Sequence, residues 1–222
     1  MLHKKTVERN TFELLRQLME DPKLKNFSLA GGTALSLYLG HRKSIDLDLF
    51  QNTDFSTSEI SQHMEKNYNF KVSSREENTL KGFVNKVKVD CITHKYPNIN
   101  PINNINGIRL YSIEDIAAMK LNAIADNGTR LKDFVDIAYL STKLTLNQML
   151  ESYQEKYKNS NAMRAVRGLI YQCDIIHEPI SLINAKYEWK DVSRRIEEMI
   201  NNDTKIFTLS PFKTSKEINL EL

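Results

Sequence analysis

The stretch "LAGGTALSLYLGHRKSIDLDLF", residues 29–50, decides the fold. It opens on a short apolar run, breaks at Gly31-Gly32, and continues at helical spacing from Thr33 to Leu39. It closes on "SIDLDLF", whose strict alternation reads as a strand. Successive side chains of a strand point to opposite faces. Asp46 and Asp48 therefore share one face, roughly 7 Å apart, and Ile45, Leu47 and Leu49 are expected on the core side. Neighbouring carboxylates repel, and a cation between them removes the repulsion. Mg2+ or Mn2+ suits such a site, because both are hard ions that prefer oxygen ligands. An ordinary strand with aspartates on its wet face gives the same pattern. A third carboxylate bears on the choice. Asp90 lies in "NKVKVDCITH", a second alternating segment, among Val87, Val89 and Ile92. If that segment pairs beside residues 44–50, three carboxylates converge.

The glycines carry a complementary expectation. A helix N-terminus presents unpaired N–H groups and the positive end of its dipole, and glycine lets a phosphate approach the backbone closely. Gly31, Gly32 and Thr33 would form such a cradle, with the Thr33 hydroxyl as cap and donor. A Gly-Gly pair is also a common tight turn.

Outward from this centre, residues 6–20 carry Val7, Phe12, Leu14, Leu15 and Leu18 at helical spacing. Residues 55–67 predict a helix capped near Thr57 or Ser58, and "NFKVSS" and "GFVNKVKVDCITH" predict strands. The Pro- and Asn-rich "YPNINPINNINGIRL" is the clearest break. Beyond it the pattern is helical almost throughout, beginning with the Ser-x-x-Asp cap of "SIEDIAAMKLNAIAD". The expected architecture is α+β, with a mixed sheet and flanking helices over 1–106 and an all-helical lobe over 107–222. The tail from about Pro211 is expected to be loose, or docked only by Ile218 and Leu220.

The composition is that of an ordinary globular chain, 41% hydrophobic and 27% charged, with ample length for a core. A net charge of +3 confines any nucleic-acid site to a local patch. Cys91 and Cys173 have no metal-ligand spacing and no disulfide pattern, which points to a reducing cytoplasm; Cys91 and His94 read as structural. The N-terminal residues do not read as a signal peptide, and no apolar run approaches a membrane span of about 20 residues.

The combination of glycine turn, Asp-x-Asp strand and later aspartate resembles the polymerase-β-like nucleotidyltransferase superfamily. Within it, "AGGTAL" and "HRKSIDLDL" resemble the AbiEii/AbiGii toxin family, which includes the MenT toxins. A second family motif is similar to Lys120 in "IAAMKLNAIAD" followed by Lys132-Asp133-Phe134-Val135-Asp136. The arginine that many members carry after the lysine helix falls to Arg130 in "ADNGTR". The resemblance covers roughly residues 25–140.

This resemblance implies a metal-dependent nucleotidyltransferase, the toxin of a bacterial toxin–antitoxin or abortive-infection pair. Asp46, Asp48 and Asp90 would hold the metal. Gly31, Gly32, Thr33, Arg42 and Ser44 would bind the nucleoside triphosphate, with Asp133 and Asp136 completing the nucleotide cleft. Lys120 would neutralise transition-state charge. A charge in an apolar helix is costly unless paired, so Lys120 could instead lock two helices through Asp133 or Asp136. The implied acceptor is RNA, with a tRNA 3′ end as the specific case, and the implied partner is an antitoxin encoded nearby. Transfer onto a protein hydroxyl and a nucleotide-binding module without turnover are the alternatives. For RNA, residues 153–172 offer Lys156, Lys158, Arg164 and Arg167 with Tyr153, Tyr157 and Tyr171; a solvated helical face has the same composition.

Overall fold

A computed structural model describes residues 1–212; the expectation for Ile218 and Leu220 lies outside the described residues. The chain folds as two compact units, residues 1–38 with 44–112, and residues 39–43 with the described residues from 113 onward. The division falls at 112/113 rather than at 106/107, and a five-residue segment of the first half belongs to the second unit.

The first unit is built on a seven-stranded mixed sheet. Its strands are β1 (Ser28–Ala30), β2 (Leu47–Gln51), β3 (Lys71–Glu76), β4 (Thr79–Val84), β5 (Val87–Thr93), β6 (Asn103–Ile105) and β7 (Ile108–Leu110), in the order β3-β4-β5-β2-β1-β7-β6. The pairs β2–β5 and β1–β7 are parallel; the other four are antiparallel. Three helices accompany it: α1 (Arg9–Glu20), α2 (Gly31–Leu39) and α3 (Thr57–Tyr68), the last capped by Ser56, one residue before the expected cap. Leu29, Leu47, Leu49, Leu80, Val89 and Leu110 are fully buried, so the alternating residues close the core as their period requires. Ile45 departs from this pattern. Residues 43–46 precede β2 in irregular backbone, and Ile45 is 57% exposed.

Of the three tight hairpins in the sheet, two turn on consecutive positive φ values. Asn85 and Lys86 (φ 47° and 70°) turn β4 into β5, and Asn106 and Gly107 (φ 54° and 81°) turn β6 into β7. Consecutive positive φ values match the right-handed twist of the flanking strands. The second hairpin lies where the sequence reads as a break. It delivers β7 to the open side of β1, where Arg109 donates from Nε to the Phe27 carbonyl (2.9 Å), from Nη1 to Met19 (2.6 Å) and from Nη2 to Leu24 (3.1 Å).

The second unit contains α4 (Ile113–Asp126), α5 (Leu131–Leu140), α6 (Leu146–Lys156), α7 (Ala162–Ile170) and α8 (Trp189–Asn201). Ile116, Leu121, Phe134, Val135, Met149, Tyr153, Leu169, Val192 and Ile196 form its core, each no more than 1% exposed. A Thr145–Gln148 capping box starts α6. At the other end of α6, Lys156 Nζ lies 2.7 Å from Asp115 Oδ1, with both side chains fully buried. This corrects the expectation that Lys156 offers its charge to RNA. It occupies the same helical face as Met149 and Tyr153, and Tyr153 and Tyr157 are buried with it. Among the described residues, no helix is long and apolar enough to cross a membrane.

Candidate active site

In the first unit, the sheet register brings the predicted residues together. Ala30 is the Cα partner of Asp48, and Asp48 in turn is the partner of Asp90. Adjacent strands lie about 4.8 Å apart, so the two aspartates are direct neighbours on one face. Gly31 follows Ala30 at once, with φ +67°, and starts α2. A Cβ on Gly31 would overlap Asp48 Oδ2, so only glycine leaves room for that carboxylate against the helix N-terminus. Gly32 is half-buried at the same turn.

Thr33 is placed differently from the expectation. It is 1% exposed, its hydroxyl bonds the Asp46 carbonyl, and Ser44 Oγ lies 2.8 Å away. A hydroxyl has one proton, so Thr33 donates to the carbonyl and accepts from Ser44. Both side chains tie down the 44–46 loop, which leaves the Thr33 backbone N–H rather than its hydroxyl for a phosphate.

Asp90 is 5% exposed. Its Oδ2 accepts from Lys88 Nζ at 2.9 Å, and its Oδ1 is buried with no hydrogen-bond partner among the described residues. The bond to Asp90 raises the Lys88 pKa against the opposing effect of burial, and the fields of Asp90, Asp48 and Asp46 add to it. Lys88 thus feels all three carboxylates. The expected three-way convergence is nevertheless incomplete. Asp46 precedes β2 and is exposed, and among the described residues no three His, Cys, Asp or Glu side chains are arranged to hold one ion. The fit to a divalent cation rests on the Asp48–Asp90 pair and the orphaned Asp90 oxygen. These are hard anionic ligands of the right kind, fewer than an all-protein cage would need but enough for an ion that brings its own water and phosphate ligands.

Along the same face the register aligns Lys81 with Asp90, Phe83 with Lys88, and Lys71 with Phe83. Phe83 is 42% exposed, and Asn69, Lys71, Phe83, Asn85 and Lys86 line a surface hollow. Sequence reasoning missed this basic, aromatic row. Its signal was present in the alternation of "KGFVNKVK".

In the second unit, the other predicted residues form a buried ionic network. Arg42 holds Asp136 in a fork, Nε–Oδ1 2.7 Å and Nη2–Oδ2 2.9 Å. His41 Nε2 lies 2.8 Å from Asp136 Oδ1, and its Nδ1 has no partner among the described residues. Lys120 Nζ lies 2.5 Å from Asp133 Oδ1 and 2.8 Å from Asp136 Oδ2. Burial opposes ionisation of Asp136, but Arg42 and Lys120 outweigh it and hold the carboxyl well below its usual range. Burial likewise opposes the Lys120 charge, which Asp133 and Asp136 outweigh and raise. The helix-locking alternative for Lys120 is therefore present in the structure. Arg130 Nε is 3.8 Å from Asp133 on a side chain 68% exposed. In residues 153–172, Lys158 and Arg167 are exposed, and Arg164 pairs with Asp126 at 3.2 Å.

The family described as "Nucleotidyl transferase AbiEii toxin, Type IV TA system" matches residues 13–207. An uncharacterized protein of Aquifex aeolicus (strain VF5) is 32% identical over 187 residues, which are 80% of this chain and 89% of that protein. The crystal structure of a nucleotidyltransferase candidate from H. pylori superposes with a TM-score of 0.54 at 17% identity, over 97% of this chain and 99% of that one. An antigenic nucleotidyltransferase-like protein from Paracoccidioides brasiliensis gives 0.51 at 19% identity, over 88% and 93%. At these identities the two structures speak for the fold alone.

Proposed function

The chain belongs to the AbiEii nucleotidyltransferase toxin family and is a nucleotidyltransferase, and we propose that it transfers a nucleotide from a nucleoside triphosphate to an RNA hydroxyl, that of a tRNA 3′ end. The observation that carries this reading is the register Ala30–Asp48–Asp90, which sets two carboxylates beside a glycine-started helix. The acceptor hydroxyl attacks the α-phosphorus, forming one O–P bond as the bond to the pyrophosphate oxygen breaks. In this reading Asp90 takes the hydroxyl proton. The N–H groups of Gly31, Gly32 and Thr33 cradle the phosphates. Asp48 and Asp90, with the charge of Asp46 nearby in sequence, would hold a divalent cation that neutralises triphosphate charge when bound. In the second unit, Asp133 and Asp136 hold Lys120 and Arg42 as buried cations. Positioning and charge stabilisation supply most of the catalysis in reactions of this class.

The row Lys71, Lys81 and Phe83 supports an RNA acceptor, because it offers phosphate contacts and a ring for base stacking on the face that carries Asp90. In this reading the chain is the toxin of a cytoplasmic toxin–antitoxin pair, and an antitoxin encoded nearby restrains it.

Asp48→Asn tests the central assignment. It keeps the shape of the side chain and removes a ligand charge and its repulsion with Asp90. Incubation with labelled nucleoside triphosphates, Mg2+ and total RNA should show label transfer by the wild type and none by the variant. The thermal midpoint without metal should hold or rise. Retained transfer would remove Asp48 from the chemistry, and label appearing on protein instead of RNA would favour a protein hydroxyl as acceptor.

A further inference from the structure

Lys88 stands two residues before Asp90 on β5, so both side chains leave the same face. Its ammonium lies 2.9 Å from Asp90 Oδ2, and the neighbouring Oδ1 is the buried oxygen without a partner. The carboxylate is 6% exposed, whereas the lysine side chain is 42% exposed. One partner is fixed in the sheet; the other reaches it on a stem that water can follow.

Two neighbouring carboxylates repel one another when no cation stands between them. A lysine is suited to compensate that charge temporarily. Its ammonium is a compact point charge on a flexible four-carbon chain, without the rigid two-point grip of arginine. Lys88 meets Asp90 by one contact only, and rotation about its stem would release the oxygen without moving the backbone.

We infer that Lys88 is the chain's own counter-ion for the Asp48–Asp90 pair, bound to Asp90 when the divalent cation is absent and displaced from it when the cation binds. The inference rests on the metal reading of the site proposed above. It makes the bare ion a weak ligand, because each binding event must first break an internal ion pair. An ion that arrives with a nucleoside triphosphate faces a smaller obstacle, since the triphosphate offers the displaced ammonium a new anionic partner.

The test uses the full chain without nucleotide, titrated with Mn2+ while the free ion is followed by electron paramagnetic resonance. Lys88→Met should bind Mn2+ about fivefold more tightly than the wild type, the factor expected from loss of one partly exposed ion pair. Lys81→Met is the control. Lys81 is the Cα partner of Asp90 on β4 and shares its face, so a general field effect would act through it as well. The inference requires that Lys81→Met change the affinity much less than Lys88→Met, and that Lys88→Arg not tighten it. Without metal, Lys88→Met should melt below the wild type and regain the difference when Mn2+ is added.

Equal Mn2+ affinity in Lys88→Met and wild type would overturn the inference, as would equal gains from the two lysine variants. Asp48→Asn separates this failure from failure of the metal reading. If Asp48→Asn abolishes Mn2+ binding while Lys88→Met behaves as wild type, the metal site stands and the counter-ion falls. If neither wild type nor Lys88→Met binds Mn2+, both fall.

Discussion

His41 is buried against Asp136, Arg42, Lys120 and the ring of Tyr139. Burial pushes its pKa below the ordinary imidazole value; the bond to Asp136 pulls it back, and Arg42 and Lys120 push it down further. The folded chain therefore holds His41 neutral where the unfolded chain protonates it. Below about pH 6.5 the unfolded state binds more protons, so stability falls as pH falls. Asp136 acts in the same direction in a lower window. Its folded pKa is well below 3.8, so its contribution is complete above that value and is lost as pH falls through the folded pKa. Thermal midpoints across pH should hold above neutrality and begin to drop near pH 6.5, with a second decline in strong acid. His41→Gln should flatten the first decline and leave the second. An unchanged profile in that variant would mean that His41 takes up its proton over the same pH range in the folded and unfolded chain.

At the scale of elements, Lys120 pins α4 to α5. It makes contacts to Asp133 and Asp136, one helical turn apart on the same face. Lys120→Ala would leave two buried carboxylates with less compensation, and removal of one member of a buried pair costs about 3–5 kcal/mol. The expected result is a large fall in denaturant midpoint together with loss of transfer. A variant of near wild-type stability would show that Asp133 and Asp136 find other partners.

The pairing of Lys120 was visible in the sequence as one of two options. A charged residue in an apolar helix must meet something, and Asp133 and Asp136 were spaced to meet it. The same logic of period placed Asp48 and Asp90 on alternating strands. It could not establish that those strands are neighbours, because pairing partners are chosen by the whole sheet. Other misreadings were local. Asparagines around Pro101 obscured the Asn-Gly turn between Ile105 and Ile108, a strong hairpin signal in its own right. The charge of Lys156 suggests an exposed residue, but it falls in phase with Met149 and Tyr153 on the buried face of α6. Lys88 carries no signal in the sequence, because a lysine on an alternating strand is ordinary and only the bond to Asp90 sets it apart.

For the molecule as a whole, the open question of partner is one of where its modest positive charge lies. Phosphate contacts release counterions, and for single strands each contributes about −0.7 to the slope of log affinity against log salt. Replacing Lys71 and Lys86 together by Ala should therefore lower the slope for RNA by about one to two units. Replacing Arg164 and Arg167 should lower it less, because Arg164 already faces Asp126. RNA affinities over a salt series for the three proteins decide the matter. A larger effect from the Arg164/Arg167 pair would move the RNA to the helical unit, and a flat salt dependence in all three would count against a nucleic-acid acceptor.

The segment 39–43 sits between the glycine turn and the Asp-x-Asp strand, yet its partners come late in the chain. Lys43 N–H donates to the Ser181 carbonyl, Ile183 N–H donates to the His41 carbonyl, and Arg42 bridges to Leu182. Arg42 and His41 also wait for Asp136. During synthesis, an acidic centre whose strands are all present by residue 110 remains joined to a tether whose anchors have yet to leave the ribosome. A nascent or truncated chain that ends before residue 181 has every strand of the sheet but lacks these partners of segment 39–43. This order of events ties completion of the fold to synthesis of the chain through residue 183.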